Sequence, residues 1–273
     1  MPNPPGPQSA RLRKLLLFLP DYFFGLGASA YLFSAGVVSG RHRTLIKRIC
    51  QHFGRQDAAP LNELPEVEPS EIFGGLLNIA ILEANPGDGN VSFLELALLN
   101  TMVRRHAARS LFEIGTFDGR TALNLAANAV GGGKVFTLDL PPDGEASTAL
   151  AVDEGDRIFI RQRTLGRRFA SSPYRSQITQ LLGDSAAFDY GAFERMMDFV
   201  FVDGSHAYEY VHSDARVALK LLRPEGGWIA FHDYGGEWQG VTRALNELRR
   251  AGGGFEGLRH VKGTSLALVE IKR

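Results

Sequence analysis

The chain has 273 residues, 44% hydrophobic and 22% charged, which supplies a packed core and carries too many charges for a polytopic membrane protein. Thirty Lys plus Arg balance thirty Asp plus Glu, so no global positive field exists to hold phosphates, and no nucleic acid partner is expected. The single Cys50 excludes an internal disulfide and a multi-thiol zinc site, which points to a reducing, cytoplasmic setting.

Charge balance holds only in sum. Residues 1–60 carry eight basic side chains against Asp21 and Asp57, whereas residues 61–95 carry seven acids and no Lys or Arg. Residues 1–60 therefore read as a basic, partly apolar N-terminal arm, residues 61–89 as an acidic linker and helical lead-in, and residues 90–273 as the main domain. Residues 2–7 are Pro-rich and are expected to be a disordered lead-in. Tyr22 to Gly40 is uncharged for nineteen residues, between Arg11, Arg13, Lys14 and Arg41, Arg43, Lys47, Arg48. Its four Gly and three Ser, and the Pro20-Asp21 step that cuts it off from Leu15 to Leu19, argue against a membrane span. A helical hairpin is the expectation, used in homo-oligomerisation or in peripheral membrane contact through residues 15–40, with the protein then membrane-associated. Ala28-Ser29-Ala30 has the form of a signal cleavage site, against which the Pro-Asp break counts. Asn85 to Asn90 reads as a tight turn before a helix opening at Ser92.

From residue 110 short apolar runs alternate with amphipathic stretches, a βαβ pattern. Strands are expected at Leu111–Ile114, Val135–Leu138, Ile178–Leu182, Phe199–Val202, Trp228–Phe231 and Ser265–Ile271. Helices are expected at about 120–130, 186–195, 207–222 and 240–251. The implied fold class is α/β, a Rossmann-like, mostly parallel sheet with helices on both faces and an N-terminal helical arm.

Ligands in such sheets bind beyond the carboxyl ends of the strands, where strand order reverses. The first strand ends in Glu113-Ile-Gly115-Thr116-Phe117-Asp118-Gly119-Arg120-Thr121, whose glycines let a ligand approach the backbone at a helix N-terminus. Asp139 closes the next strand, twenty-four residues after Gly115, where an acid suits a ribose diol. A dinucleotide loop would carry G-x-G-x-x-G, and the middle glycine is missing. The fourth strand leads into Asp203-Gly-Ser-His206-Ala-Tyr208 and the fifth into His232-Asp233-Tyr234. Asp203, His206, His232 and Asp233 are groups that bind metals or move protons, and they are expected to converge on neighbouring strand ends. Histidines 42, 52, 106, 212 and 260 lack this setting and are read as surface or core residues.

The E-I-G-T-F-D-G-R-T and F-T-L-D stretches resemble the first two cofactor motifs of class I S-adenosylmethionine-dependent methyltransferases, over about residues 110–271. The resemblance implies a seven-stranded sheet with a final antiparallel strand. It also implies cofactor contacts at Glu113, Gly115, Thr116, Gly119 and Asp139, and at Asp184 and Ser185 after strand three, where a helix N-cap is the competing role for Asp184. The D-G-S-H-A-Y segment and the later H-D resemble a subgroup of metal-dependent O-methyltransferases of the macrolide-sugar type. That resemblance implies Asp203 and Asp233 as ligands of a divalent cation and His206 as the general base, with Asp203 beside it in catalysis. His232 departs from the acidic pair of those relatives; as a third ligand it suits manganese, iron or zinc better than magnesium. The expected activity is O-methylation of a small-molecule hydroxyl, a sugar or polyketide first and a phenol or catechol second.

Two other readings stand beside it: a NAD-dependent oxidoreductase on a Rossmann core, and a non-catalytic binding protein docking through its arm. Tyr208, Tyr234 and Trp238 are read as acceptor-pocket walls or as packing at helix starts. Arg157, Arg161, Arg163, Arg167 and Arg168 are read as a solvated face, a lid or an anion contact. The loop Pro141 to Ser176 carries no readable code.

Overall fold

A computed structural model describes residues 7–39, 42, 43, 45, 46, 49, 50, 62–87, 89–162 and 164–272. The Pro-rich stretch 2–6, the basic Arg41, Lys47, Arg48 and Arg163, and Asp88 of the expected turn lie outside the described residues. The chain divides into two units, Met1–Ala58 and Ala59–Arg273.

In the first unit, helix α1 (Pro7–Leu32) runs straight through the Pro20-Asp21 step that the sequence reads as a break. A proline in a helix interior removes one hydrogen bond, and here the helix continues on the bonds around it. Ser34 closes it by donating its hydroxyl to Ala30 O at 2.6 Å, and a 3-10 turn, Ala35–Val38, follows. The chain then doubles back, so that His42 meets the edge of the Tyr31 ring at 5.5 Å.

The second unit is built on one sheet. Its strands are β1 (Glu66–Val67), β2 (Ser110–Ile114), β3 (Lys134–Asp139), β4 (Ile178–Leu182), β5 (Phe199–Val202), β6 (Gly226–Phe231), β7 (Arg259–Val261) and β8 (Ala267–Lys272). They lie in the order β1-β7-β8-β6-β5-β2-β3-β4, parallel except for β8, which runs antiparallel to β6 and β7. The sheet has eight described strands rather than seven. Two strands that the sequence did not locate, Glu66–Val67 and Arg259–Val261, are too short and too polar to show a period of two. They are joined through His260 N–H to Pro65 O at 2.9 Å and Lys262 N–H to Val67 O at 3.0 Å, so part of the acidic stretch is sheet edge.

The central strands are mostly apolar because both faces are covered, Glu113 of β2 being a buried exception. Phe112, Ile114, Val200 and Val202 face one layer, with α7 (Tyr208–Leu221) and α8 (Gln239–Ala251) contributing Val211, Ala218, Val241 and Leu245. Leu111, Phe199 and Phe201 face the other, with α3 (Phe93–Arg105) and α4 (Arg120–Asn128) contributing Leu96, Met102, Ala122 and Leu125. The helix opening at Ser92 is α3. Its N-terminus is a capping box in which Ser92 Oγ accepts from Glu95 N–H and Glu95 Oε2 accepts from Ser92 N–H.

The helix expected at 186–195 does not form. Phe188 and Tyr190 would stand about 200° apart on a helix. Both instead pack toward the same layer, where Tyr190 and Phe193 meet Phe112 at 5.8 and 5.5 Å and Phe188 meets Tyr190 at 5.1 Å. The loop from Pro141 to Ser176 holds two short helices, α5 (Asp156–Gln162) and α6 (Arg167–Ala170), and α2 (Pro69–Phe73) lies earlier in the chain. Three arginines of this loop are paired: Arg161 and Arg157 with Glu145, and Arg168 with Asp118 at 2.5 Å and Glu83 at 2.8 Å.

Asp214 on α7 is fully buried, and burial, reinforced by the charge of Asp184, raises its carboxyl to about 7. The folded chain keeps a proton that the unfolded chain releases near 3.8, so stability falls as pH rises through the window up to about 7. Asp214→Asn removes that slope, of up to about 1.4 kcal/mol per pH unit. Urea titrations of both proteins across this window should therefore show the variant gaining on wild type as pH rises. A constant difference would contradict a proton on Asp214.

Candidate active site

The chain leaves β2 for β3 and β4 on one side and reaches β5 and β6 on the other, so the switch point of the sheet lies between β2 and β5. The loops after these two strands touch backbone to backbone. Gly115 has φ +100°, and a Cβ there would stand 1.9 Å from the carbonyl oxygen of Asp203. A side chain at residue 115 would push the two loops apart, which is why the glycine that opens the loop also sets where Asp203 sits. At the loop's other end Gly119 caps α4 with φ +84°, and a Cβ there would meet the Phe169 ring at 2.5 Å.

The residues expected at a cofactor are gathered on this side of the switch point. Glu113 is buried under the loop, its Oε2 accepting from the Thr137 hydroxyl, while Oε1 has no partner. Burial, with the charges of Asp203, Asp139 and Asp118 added, raises its pKa well above the carboxylate range. Thr116 turns its hydroxyl inward to Thr137 Oγ1 at 2.7 Å, so only its backbone faces the loop. Asp139 Oδ2 accepts from Thr116 N–H at 3.1 Å and Phe117 N–H at 2.8 Å, and Oδ1 from Leu140 N–H at 2.7 Å. Asp184 is engaged by Ala149 N–H at 2.6 Å, Ala186 N–H at 3.1 Å and Tyr210 O–H at 2.9 Å. Its carboxylate thus ties the loop before α5 to the end of β4 and to α7, and Ser185 O accepts from the Tyr190 hydroxyl at 3.0 Å.

Across the switch point the four proton- and metal-type residues converge as one connected group. His232 Nδ1 lies 3.0 Å from Asp203 Oδ1 and 3.1 Å from Asp233 Oδ2. His206 Nε2 lies 2.7 Å from the same Asp233 Oδ2, and its ring stacks on Trp238 at 3.8 Å. Asp233 holds a left-handed backbone, φ 64°, a costly conformation for a residue with a side chain, anchored by its N–H to Ser265 Oγ at 3.3 Å.

Two carboxylates complete the group that the sequence did not disclose. Asp156, the first residue of α5, accepts from Ser205 Oγ at 2.7 Å and His206 N–H at 3.0 Å, and its Oδ1 binds His206 Nδ1. Fifty residues separate the pair, so no spacing pattern could reveal it. Glu95 lies 3.4 Å from His232 Nε2 and accepts from Ser265 N–H at 2.7 Å. The only signal for Glu95 was its place three residues after Ser92, which is a capping pattern and carries no hint of a site.

With carboxylates at both ring nitrogens, His206 carries both protons. Burial opposes its charge, and the bonds to Asp156 and Asp233 overcome that opposition, raising its pKa to about 10. His232 is raised in the same way by Asp203, Asp233 and Glu95, and Asp233 and Glu95 are held below the usual carboxylate range despite burial. Of the aromatic residues considered as walls, Trp238 stands at the group. Tyr234 is in the core, donating to Asn246 Oδ1 at 2.8 Å, and Tyr208 donates to Glu247. His260 is a core residue bound to Thr264 O at 2.7 Å, and His106 stacks against Trp228 at 4.8 Å.

Residues 112–234, from β2 to the turn after β6, match a family model described as a methyltransferase domain. Among solved structures, this chain is similar to the O-methyltransferase TomG from Streptomyces achromogenes at 21% identity and a TM-score of 0.48, over 68% of this chain and 83% of that one. An O-methyltransferase from Bacillus cereus matches at 19% identity and 0.48, over 84% and 97%. A putative caffeoyl-CoA O-methyltransferase from Staphylococcus aureus matches at 15% and 0.48, over 67% and 85%. No curated protein matches the chain.

Asp156→Ala strips the acceptor from the His206 ring, the His206 amide and Ser205. Breaking one side of a buried charge pair costs roughly 3 to 5 kcal/mol. Urea unfolding should show a loss of that order, accompanied by a change in Trp238 fluorescence as the stacked ring is released. Unchanged stability and emission would show that α5 does not dock on His206.

Proposed function

We propose that the protein transfers the methyl group of S-adenosylmethionine to a hydroxyl of a small molecule. The observation that carries this reading is the placement of a glycine loop and a proton-handling group on opposite sides of one switch point, inside a segment that matches a methyltransferase domain. The cofactor supplies an electrophilic methyl on a sulfonium. Gly115 and Gly119 give it a backbone surface at the start of α4, with Glu113 and Thr116 beneath, and Asp139 is the acid placed for its ribose. Glu113 is buried beneath that surface, with Oε1 unpartnered and the carboxyl held toward its protonated form by burial. Asp184 and Ser185 act in this scheme by holding the loop wall.

The second half of the site activates the acceptor. Methyl transfer needs the hydroxyl oxygen held in line with the sulfonium and relieved of its proton. His206 exchanges that proton at Nε2, and Asp156 fixes the ring through Nδ1. The charged ring favoured by Asp156 and Asp233 is the form reached after the proton has been taken. Catalysis by this base therefore requires it to begin neutral, and positive charge on Asp233 is what would disfavour its proton.

Asp203, His232 and Asp233 are suited to supply that charge by holding a divalent cation. Their ligand atoms lie within 4.8 Å of one another. The separations of 3.0 and 3.1 Å from His232 Nδ1 match the roughly 3 Å between neighbouring ligands of an octahedral ion bound at about 2.1 Å. Four carboxylates, Glu95, Asp156, Asp203 and Asp233, also outnumber the two imidazoles of the group. Glu95 accepts at Nε2 and so presents the His232 Nδ1 lone pair to the ion, a carboxylate–histidine–metal relay. The mixed nitrogen and oxygen set favours manganese or iron over magnesium. A bound cation lowers the pKa of a hydroxyl. An aliphatic alcohol, less acidic than a phenol, has the greater need of both cation and base, which places a sugar or polyketide hydroxyl ahead of a phenol or catechol.

Thermal unfolding with S-adenosylhomocysteine tests the cofactor half. At about 100 times its dissociation constant a ligand adds roughly 2.7 kcal/mol and raises the midpoint by several degrees. NAD should leave the midpoint unchanged; a rise with NAD alone would replace this reading with an oxidoreductase. Asp203→Ala should keep the S-adenosylhomocysteine shift and lose any added shift from manganese. His206→Ala should keep the cofactor shift and lose turnover, and full turnover by that variant would remove His206 as the base.

A further inference from the structure

Helix α1 belongs to neither half of that site, and its surface is the most apolar exposed feature among the described residues. Leu17, Phe18, Phe23, Phe24 and Leu26 are 55–79% exposed, and Val38 beyond the helix is 81% exposed. Successive helix positions are about 100° apart, so Leu17 and Phe18 together with Phe23 and Phe24 point to every side of the helix. A protein groove or a second helix covers one stripe. A helix that is apolar all round requires cover all round, which a lipid bilayer gives.

Charge selects the kind of bilayer. The sequence sets Arg11, Arg13 and Lys14 ahead of the apolar stretch and Arg41, Arg43, Lys47 and Arg48 after it, with Asp21 the single charge between Leu15 and Gly40. Basic clusters at both ends match the negative surface of anionic phospholipid, and the tyrosines at 22 and 31 combine an apolar ring with a polar tip suited to the headgroup level. Among the described residues no helix is long and apolar enough to cross a membrane. We propose that residues 15–40 dock the protein on an anionic phospholipid bilayer, with α1 and the turn after it lodged in one leaflet and the flanking basic residues among the headgroups. This rests on α1 and its flanks alone, independent of the methyl-transfer reading.

Vesicle flotation of the full chain tests it, with phosphatidylcholine vesicles set against phosphatidylcholine mixed with phosphatidylglycerol. The full chain should float with the mixed vesicles, less with phosphatidylcholine alone, and less in high salt, which screens the headgroup attraction. Phe18→Ser/Phe23→Ser/Phe24→Ser should lower binding to mixed vesicles by about tenfold or more, because partition follows the apolar area immersed. Arg43→Gln/Lys47→Gln/Arg48→Gln should reduce binding to the level of the neutral vesicles. The S-adenosylhomocysteine midpoint shift, measured on the same variants, should stay at the wild-type value, so loss of docking and loss of the cofactor site are read separately. Failure of the full chain to float with either vesicle would overturn the proposal. Equal flotation of the triple phenylalanine variant would overturn it too, as would a lipid-free dimer that this variant dissociates, since the helix would then be covered by a second copy.

Discussion

The approach of Gly115 to the Asp203 carbonyl is the contact on which the rest of the site depends. Parallel pairing of β2 with β5 brings the two strand ends level, and a residue without a side chain lets the loops beyond them close to backbone contact. Gly115, Thr116 and Gly119 of the proposed cofactor surface lie on one of these loops, and the acid and histidine group begins on the other. The reacting atoms of a transfer reaction have to meet across such a seam. Its width is set by the absence of a Cβ at residue 115 together with the Asp203 N–H bond to Ile114 O at 2.8 Å.

Charge balance is the second constraint. Burying four carboxylates around two imidazoles is unfavourable unless each charge is paired, and the network meets that demand only in part, by sharing. Asp233 Oδ2 serves both His206 and His232, while Asp156 and Glu95 each take the far nitrogen of one ring. The two outer carboxylates also serve as structural anchors. Glu95 caps α3 and binds Ser265, and Asp156 opens α5 and binds the turn at Ser205. Site and scaffold therefore share residues, and the loop from Pro141 to Ser176 takes part in the site through Asp156.

The first unit answers to a different physical demand. Its helix carries its apolar residues outward, the reverse of the second unit, where Leu96, Phe112, Phe199 and Leu245 are withdrawn from water. A surface of that kind needs an apolar neighbour, and the basic flanks give that neighbour its sign.

The sequence by itself determined the parallel sheet, through apolar runs separated by amphipathic stretches. It also marked the strand ends where chemistry gathers, because Gly115, Asp139, Asp203, His206, His232 and Asp233 each directly follow or close a strand. Where local pattern and tertiary packing disagreed, packing decided. The stretch 186–195 has a helical composition, yet Phe188 and Tyr190 both find the same apolar layer. Glu66–Val67 and Arg259–Val261 become strands only because a sheet edge is there to receive them. Only the tertiary structure could bring Asp156 to His206 and Glu95 to His232. Those partners are distant in sequence, and a carboxylate that sets a histidine's protons is defined by a distance in space, for which the chain has no periodic signature.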